Sequence, residues 1–177
     1  GMYPDLPLVG IEPAVKPAAQ NHRGEKVAVM ATPLTLHEEK FKQLVKRYED
    51  QAVIIPVPCP DLVEYVEKGI LEGPELEGYL KDVLTPCLQE GIKAVVLGCT
   101  HFPLVKSAIG KVVGESVRIY DGGEGTARQA KCLLAAKNLC TDQEKGHICF
   151  ESSAPEKEAY YEALYRKAAH IDSRVKL

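Results

Sequence analysis

The chain has 177 residues, of which 45% are hydrophobic and 27% charged, with a formal net charge of −3. That balance belongs to a folded globular protein of one domain, or of one domain plus part of another. Scattered Lys and Arg, three Phe and no Trp leave no basic or aromatic footprint for nucleic acid. No apolar run approaches the roughly 20 residues that span a membrane.

Short apolar runs alternate with helical periodicity along the chain. Leu8-Val9-Gly10-Ile11 and Val27-Ala28-Val29-Met30 read as the first two strands. Thr32-Pro33 has the form of a helix N-cap followed by proline at the first helical position. Phe41, Leu44, Val45 and Tyr48 then form a helical stripe. Val53-Ile54-Ile55-Pro56-Val57 is a third strand, and a short amphipathic helix ending near Glu67 follows, with Gly69 as its stop. Leu76, Tyr79, Leu80 and Val83 make a second stripe, which Leu84, Cys87 and Leu88 extend to a stop at Gly91. Pro86 is expected to kink or split that helix. Ala94-Val95-Val96-Leu97 and Val117-Arg118-Ile119-Tyr120 read as two further strands. Beyond them come a helix from Glu124 to Leu139, a linker-like stretch over 138–146, a strand at His147-Ile148-Cys149-Phe150, a helix from Pro155 to Ala169 and a possible closing strand. Strands alternating with helices imply an α/β fold, a parallel sheet with helices on both faces, over residues 7–118.

Six cysteines, at 59, 87, 99, 132, 140 and 149, form no CxxC pair. In a chain of this size they read as reduced cytosolic thiols rather than a disulfide framework, with Cys87 and Cys132 as small core residues. Cys99 stands apart. It follows a buried strand directly, where open α/β sheets place their ligands, and precedes a proline-initiated helix. His101 lies two residues on, on the same side of an extended segment. A helix start and an imidazolium both favour the thiolate, the form that acts as base or nucleophile. The plainer alternatives are a buried inert thiol and a capping or core histidine. Cys59, Cys99 and His101 contain a zinc-type donor set, but the Cys-x-His spacing with no second paired motif argues against a metal. Gly122-Gly123 reads as a tight strand-to-helix turn.

The run Leu97-Gly98-Cys99-Thr100-His101-Phe102-Pro103-Leu104 closely resembles the second catalytic-cysteine motif of glutamate racemases, in the aspartate/glutamate racemase superfamily. Four more blocks resemble the same family in order: 8–14, Ala31-Thr32-Pro33-Leu34-Thr35, Cys59-Pro60 with Val63 and Val66-Glu67, and Asp121-Gly122-Gly123-Glu124 to Ala127-Arg128. The resemblance implies a flavodoxin-like sheet forming one lobe of a two-lobed racemase over 7–118, and a tail over 119–177 that packs on the other lobe. It implies cofactor-independent, two-base interconversion of L- and D-glutamate for peptidoglycan, in the bacterial cytoplasm. Cys99 would be a catalytic acid/base and His101 its auxiliary. Glu67 would orient His101, although a solvated surface carboxylate is the simple alternative, and Glu64 is its neighbouring competitor. Thr32, Thr35 and Thr100 would bind the substrate. Neither a cofactor nor a metal is implied.

The family's Asp-Ser-Gly turn and its first catalytic cysteine, in a Cys-Asn-Thr motif, do not occur in these residues. The expectation is therefore a carboxy-terminal portion of a racemase, and a homodimer is one way to cover its apolar surface. Cys59 belongs to a different block and is not expected to replace the first cysteine. Three alternatives stay open: a racemase of aspartate or a related dicarboxylate, a non-catalytic fragment that only binds ligand or partner, and a cysteine hydrolase or thiol transferase, for which no third triad member is evident.

Overall fold

The structure is a computed structural model that describes residues 6–141 and 146–174. Its sheet consists of β1 (Lys26–Ala31), β2 (Val53–Pro58), β3 (Ala94–Leu97) and β4 (Arg118–Tyr120), all parallel, in the spatial order β2-β1-β3-β4. The helices are α1 (Val15–Asn21), α2 (Pro33–His37), α3 (Glu39–Lys46), α4 (Leu62–Glu67), α5 (Pro74–Gln89), α6 (Lys106–Val113), α7 (Gly123–Ala136) and α8 (Glu158–Arg174). One-turn 3₁₀ helices span Phe102–Val105 and Pro155–Lys157.

The alternation of side chains along a strand divides the core between the two faces of the sheet. Val27 and Val29 of β1, with Ala94 and Val96 of β3, pack against Val15 and Ala18 of α1 and Phe41 and Leu44 of α3. Ala28, Met30, Val95 and Leu97 face the other way, toward Leu62 of α4, Leu80 and Leu84 of α5 and Ile109 of α6. Central strands buried on both faces are apolar at every buried position, and so Val27–Ala31 of β1, after the partly exposed Lys26, and all of β3 read as unbroken hydrophobic runs. β2 lies at an edge, which is where prolines such as Pro56 and Pro58 can sit without breaking a ladder on both sides.

The α/β class, the parallel sheet and four of the expected strands match the structure. Two other expected strands do not form. Leu8–Ile11 and His147–Phe150 are irregular, and Leu8 and Ile148 are well exposed. A short apolar run becomes a strand only where a ladder edge is available to it, and neither segment pairs with the sheet. The closing strand is not seen either, since α8 runs on to Arg174 and residues 175–177 lie outside the described residues.

Pro86 does not split α5, which continues from Pro74 to Gln89. Pro86 and Asp82, whose carbonyl loses its helical partner, are both exposed, so the freed group is on the side open to solvent. Gly69 and Gly91 end α4 and α5 as expected, each with positive φ (71° and 77°). Cys132 is exposed rather than a core residue, because α7 buries none of its side chains. α8 returns to the sheet, and its Leu164 and Ala168 join the same core as α4, α5 and α6.

Candidate active site

The strand order reverses between β1 and β3, and the crevice at their carboxyl ends is where such sheets bind ligands. β1 and β3 stay in register to the pair Met30 and Leu97, and Gly98 N–H then donates to Met30 O at 2.7 Å. A Cβ on Gly98 would lie 2.8 Å from that oxygen and 3.3 Å from Ala31 Cβ, so the two chains leave the sheet in contact only because residue 98 has no side chain. Thr32 and Cys99 therefore emerge side by side on one rim.

A tight turn follows, in which Phe102 N–H donates to Cys99 O at 3.2 Å and His101 adopts helical dihedrals (φ −78°, ψ −32°). This turn, not an extended segment, brings Cys99 Sγ to 3.8 Å from His101 Nδ1. The following α-helix begins only at Lys106, after the 3₁₀ turn, so the thiol does not sit on its first turn. On the far side of the imidazole, His101 Nε2 is 2.9 Å from Oε1 of Glu67, the last residue of α4. A carboxylate only accepts, so the hydrogen in this contact is on Nε2, and Nδ1 is the ring atom that faces Sγ. Glu64 is engaged elsewhere, with Lys68 at 3.2 Å. His101 and Glu67 are 32% and 41% exposed, so water screens their attraction and the contact chiefly orients the ring.

Thr32 caps α2: its Oγ1 accepts from Thr35 N–H at 3.3 Å and lies 3.0 Å from Thr35 Oγ1. The structure thus brings Cys99, His101 and Glu67 into one chain of contacts, and Thr32 and Thr35 into a second on the neighbouring strand end. Thr100 is exposed on the Cys99 turn.

The thiol of Cys59 is fully buried, donates to Val57 O at 3.4 Å and is pushed up to about 12, first by burial and then by Cys87. It remains a neutral thiol in the core. Burial also raises Cys87, whose Sγ donates to Leu84 O at 3.0 Å. Beyond β4, burial pushes the Asp121 carboxyl up, but Lys106 Nζ at 2.9 Å and Gly123 N–H at 3.0 Å outweigh it, leaving the group below its ordinary value. Gly122 packs where a Cβ would be 3.0 Å from both Glu12 O and Ile11 Cγ1, so close packing accounts for it without a phosphate. Among the described residues no three His, Cys, Asp or Glu side chains converge as metal ligands. No helix there is long and apolar enough to cross a membrane.

Two contacts to the end of α4 had no local signal in the sequence. The Tyr160 hydroxyl donates to Glu67 O, 93 residues away, and Lys167 Nζ donates to Gly69 O at 2.7 Å, 98 residues away.

The family model described as Asp/Glu/Hydantoin racemase matches residues 3–130. Glutamate racemase of Clostridium perfringens is 44% identical over 156 residues, covering 88% of this chain and 60% of the relative. That of Clostridium novyi is 46% identical over 147 residues, covering 82% and 57%. The chain thus spans about 60% of the length of the curated relatives it matches. Among solved structures, Escherichia coli glutamate racemase in complex with L-glutamate and the activator UDP-MurNAc-ala is similar at a TM-score of 0.74 and 30% identity, covering 92% of this chain and 62% of that one. Glutamate racemase of Thermus thermophilus, in complex with beta-chloro-D-alanine, is similar at 0.66 and 28%, covering 94% and 61%. With more than half of its residues matched by the family model, and with its sheet and strand-end cysteine arranged as described, the chain belongs to the Asp/Glu/hydantoin racemase family.

Proposed function

We propose that this chain carries one of the two acid/base groups of a cofactor-independent glutamate racemase. The observation behind this reading is the contact series from Cys99 through His101 to Glu67 at the β1/β3 rim. In one direction the Cys99 thiolate takes the α-proton of glutamate, forming S–H. The electron pair left on Cα spreads into the α-carboxylate, and a second acid on the opposite face returns a proton to Cα. In the other direction the Cys99 thiol supplies the proton. With its Nε2 hydrogen directed to Glu67, the neutral His101 ring offers Nδ1 as the local acceptor for the thiol proton. General acid–base groups of this kind contribute about 10²–10⁴-fold in rate. Thr32, Thr35 and Thr100, on the same rim, bind the substrate's carboxylate and ammonium groups.

In this reading residues 7–118 are one lobe, and the second acid/base group belongs to the other lobe of a two-lobed enzyme. The tail, 119–177, adjoins that lobe through α7, which buries no side chain and leaves Leu134 exposed. The enzyme acts in the cytoplasm, forms a homodimer and supplies D-glutamate for peptidoglycan. Similarity to proteins named glutamate racemase supports glutamate over aspartate.

The test is racemisation of D-glutamate, with aspartate in parallel, by the chain alone and by the chain mixed with the amino-terminal lobe of the Clostridium perfringens relative. Turnover of glutamate that Cys99→Ser abolishes, in either sample, supports the reading. A folded mixture with no turnover, or turnover indifferent to Cys99→Ser, overturns it in favour of a fragment that only binds.

A further inference from the structure

Glu67 is the last residue of α4, a helix of six residues, too short to hold itself together in water. Its end is closed locally by Gly69 N–H donating to Val66 O at 2.8 Å and Ile70 N–H to Tyr65 O at 2.9 Å. That pattern leaves the Glu67 carbonyl without a partner inside the helix. The partner comes from α8. Tyr160 O–H donates to Glu67 O, and two turns further along α8 the Lys167 ammonium donates to Gly69 O at 2.7 Å, placing a cation at the negative end of α4. Between and beside them, Leu164 and Ala168 anchor the same face of α8 in the core. The backbone of Glu67 is thus held from α8 while its side chain holds His101.

We propose that Tyr160 and Lys167 are positioning residues for the Cys99–His101–Glu67 series: from α8 they fix the final turn of α4 and so keep Glu67 Oε1 on His101 Nε2. The proposal rests on the reading that this series serves proton transfer. The ionisable groups around it are Cys99 on the β3–α6 turn, Glu67 with the paired Glu64 and Lys68 on α4, and Tyr160 and Lys167 on α8. Tyr160 and Lys167 touch backbone only, so they act on the ring through where they put Glu67.

The test uses the chain with Cys132, Cys140 and Cys149 replaced by Ser, so that Cys99 is the accessible thiol. Two quantities are read at neutral pH: the alkylation rate of Cys99 by iodoacetamide, and the proton NMR signal of the His101 Nε2–H. Circular dichroism verifies folding. Glu67→Ala is expected to lower the rate several-fold and to broaden the ring signal by exchange with water. Tyr160→Phe is expected to do the same and Lys167→Met to do so more weakly, whereas Lys68→Ala, on the same turn, leaves both at parent values. If Glu67→Ala changes both readouts while Tyr160→Phe and Lys167→Met change neither, the positioning role is overturned and the relay stands. If Glu67→Ala itself changes neither, the relay reading fails and the positioning role falls with it. Should Tyr160→Phe unfold the chain, Lys167→Met decides, since it leaves the Leu164 and Ala168 packing in place: parent values overturn the proposal.

Discussion

Asp121 shows how one residue joins two elements and gives acid sensitivity to their junction. Its Oδ2 takes Lys106 Nζ from α6 and its Oδ1 takes Gly123 N–H at the start of α7. The folded-state value lies below the ordinary carboxylate value of 3.8, so on acidification the unfolded chain takes up the proton first. The stabilisation is therefore complete above pH 3.8 and fades as pH falls through the lower folded-state value. Asp121→Asn should cost about 1 kcal/mol near neutral pH, a modest figure because Lys106 is partly solvated. Urea unfolding should show the gap between variant and parent closing at acid pH; a constant gap would exclude the charge as its source. The opposite sign applies to Cys59 and Tyr79, raised to about 12 from 9.0 and 10.0, in each case first by burial. Between those limits the unfolded chain releases protons that the folded chain keeps, so stability falls as pH rises from about 9 toward 12. Cys59→Ala removes one of these groups and should make the alkaline decline measurably shallower.

At the scale of elements, the close passage of β1 and β3 depends on Gly98. Gly98→Ala would drive a Cβ against Met30 O and Ala31 Cβ, and neither backbone can move without breaking the central pair of the sheet. A loss of about 2–3 kcal/mol is expected, read as a lower urea midpoint, together with a displaced His101 ring signal because the Cys99 turn starts there. An unchanged midpoint would show that the strand ends separate readily. This region also marks how far the sequence can be read. β1 and β3 are legible because a strand buried on both faces has no polar residue among its buried positions. Leu8–Ile11 has the same local appearance and forms no strand, since what separates the two cases is a hydrogen-bonding neighbour supplied by tertiary structure. The Thr32 cap and the Gly69 and Gly91 stops are legible because each is decided within a few residues. Pro86 misleads because its effect on α5 depends on which side faces water. The Glu67–His101 contact spans 34 residues, and only the family resemblance pointed to it. Nothing local could announce Tyr160 on Glu67.

Across the whole molecule, α7 and α8 are the instructive contrast, since they adjoin in sequence and differ in what they bury. α7 contributes no buried side chain, whereas α8 places Leu164 and Ala168 in the core that also contains Val95 and Leu97 of β3. If α8 is part of that core, removing its anchor must weaken the sheet as well as the helix. Leu164→Ala is expected to cost about 2–4 kcal/mol. The loss should appear as one transition, with helix signal and tyrosine environment melting together, because the cavity opens in the shared core. Leu134→Ala on α7, at a side chain already 38% exposed, should stay within about 0.5 kcal/mol. Two separated transitions in Leu164→Ala, an early loss of helix followed by an unchanged melt of the sheet, would mean that α8 docks as an independent appendage. Its hold on α4 would then be too weak to set the position of Glu67. A single lowered transition would instead show that α8 and the strand end bearing Cys99 belong to one cooperative unit, which is the condition for contacts made 93 residues away to act on the site.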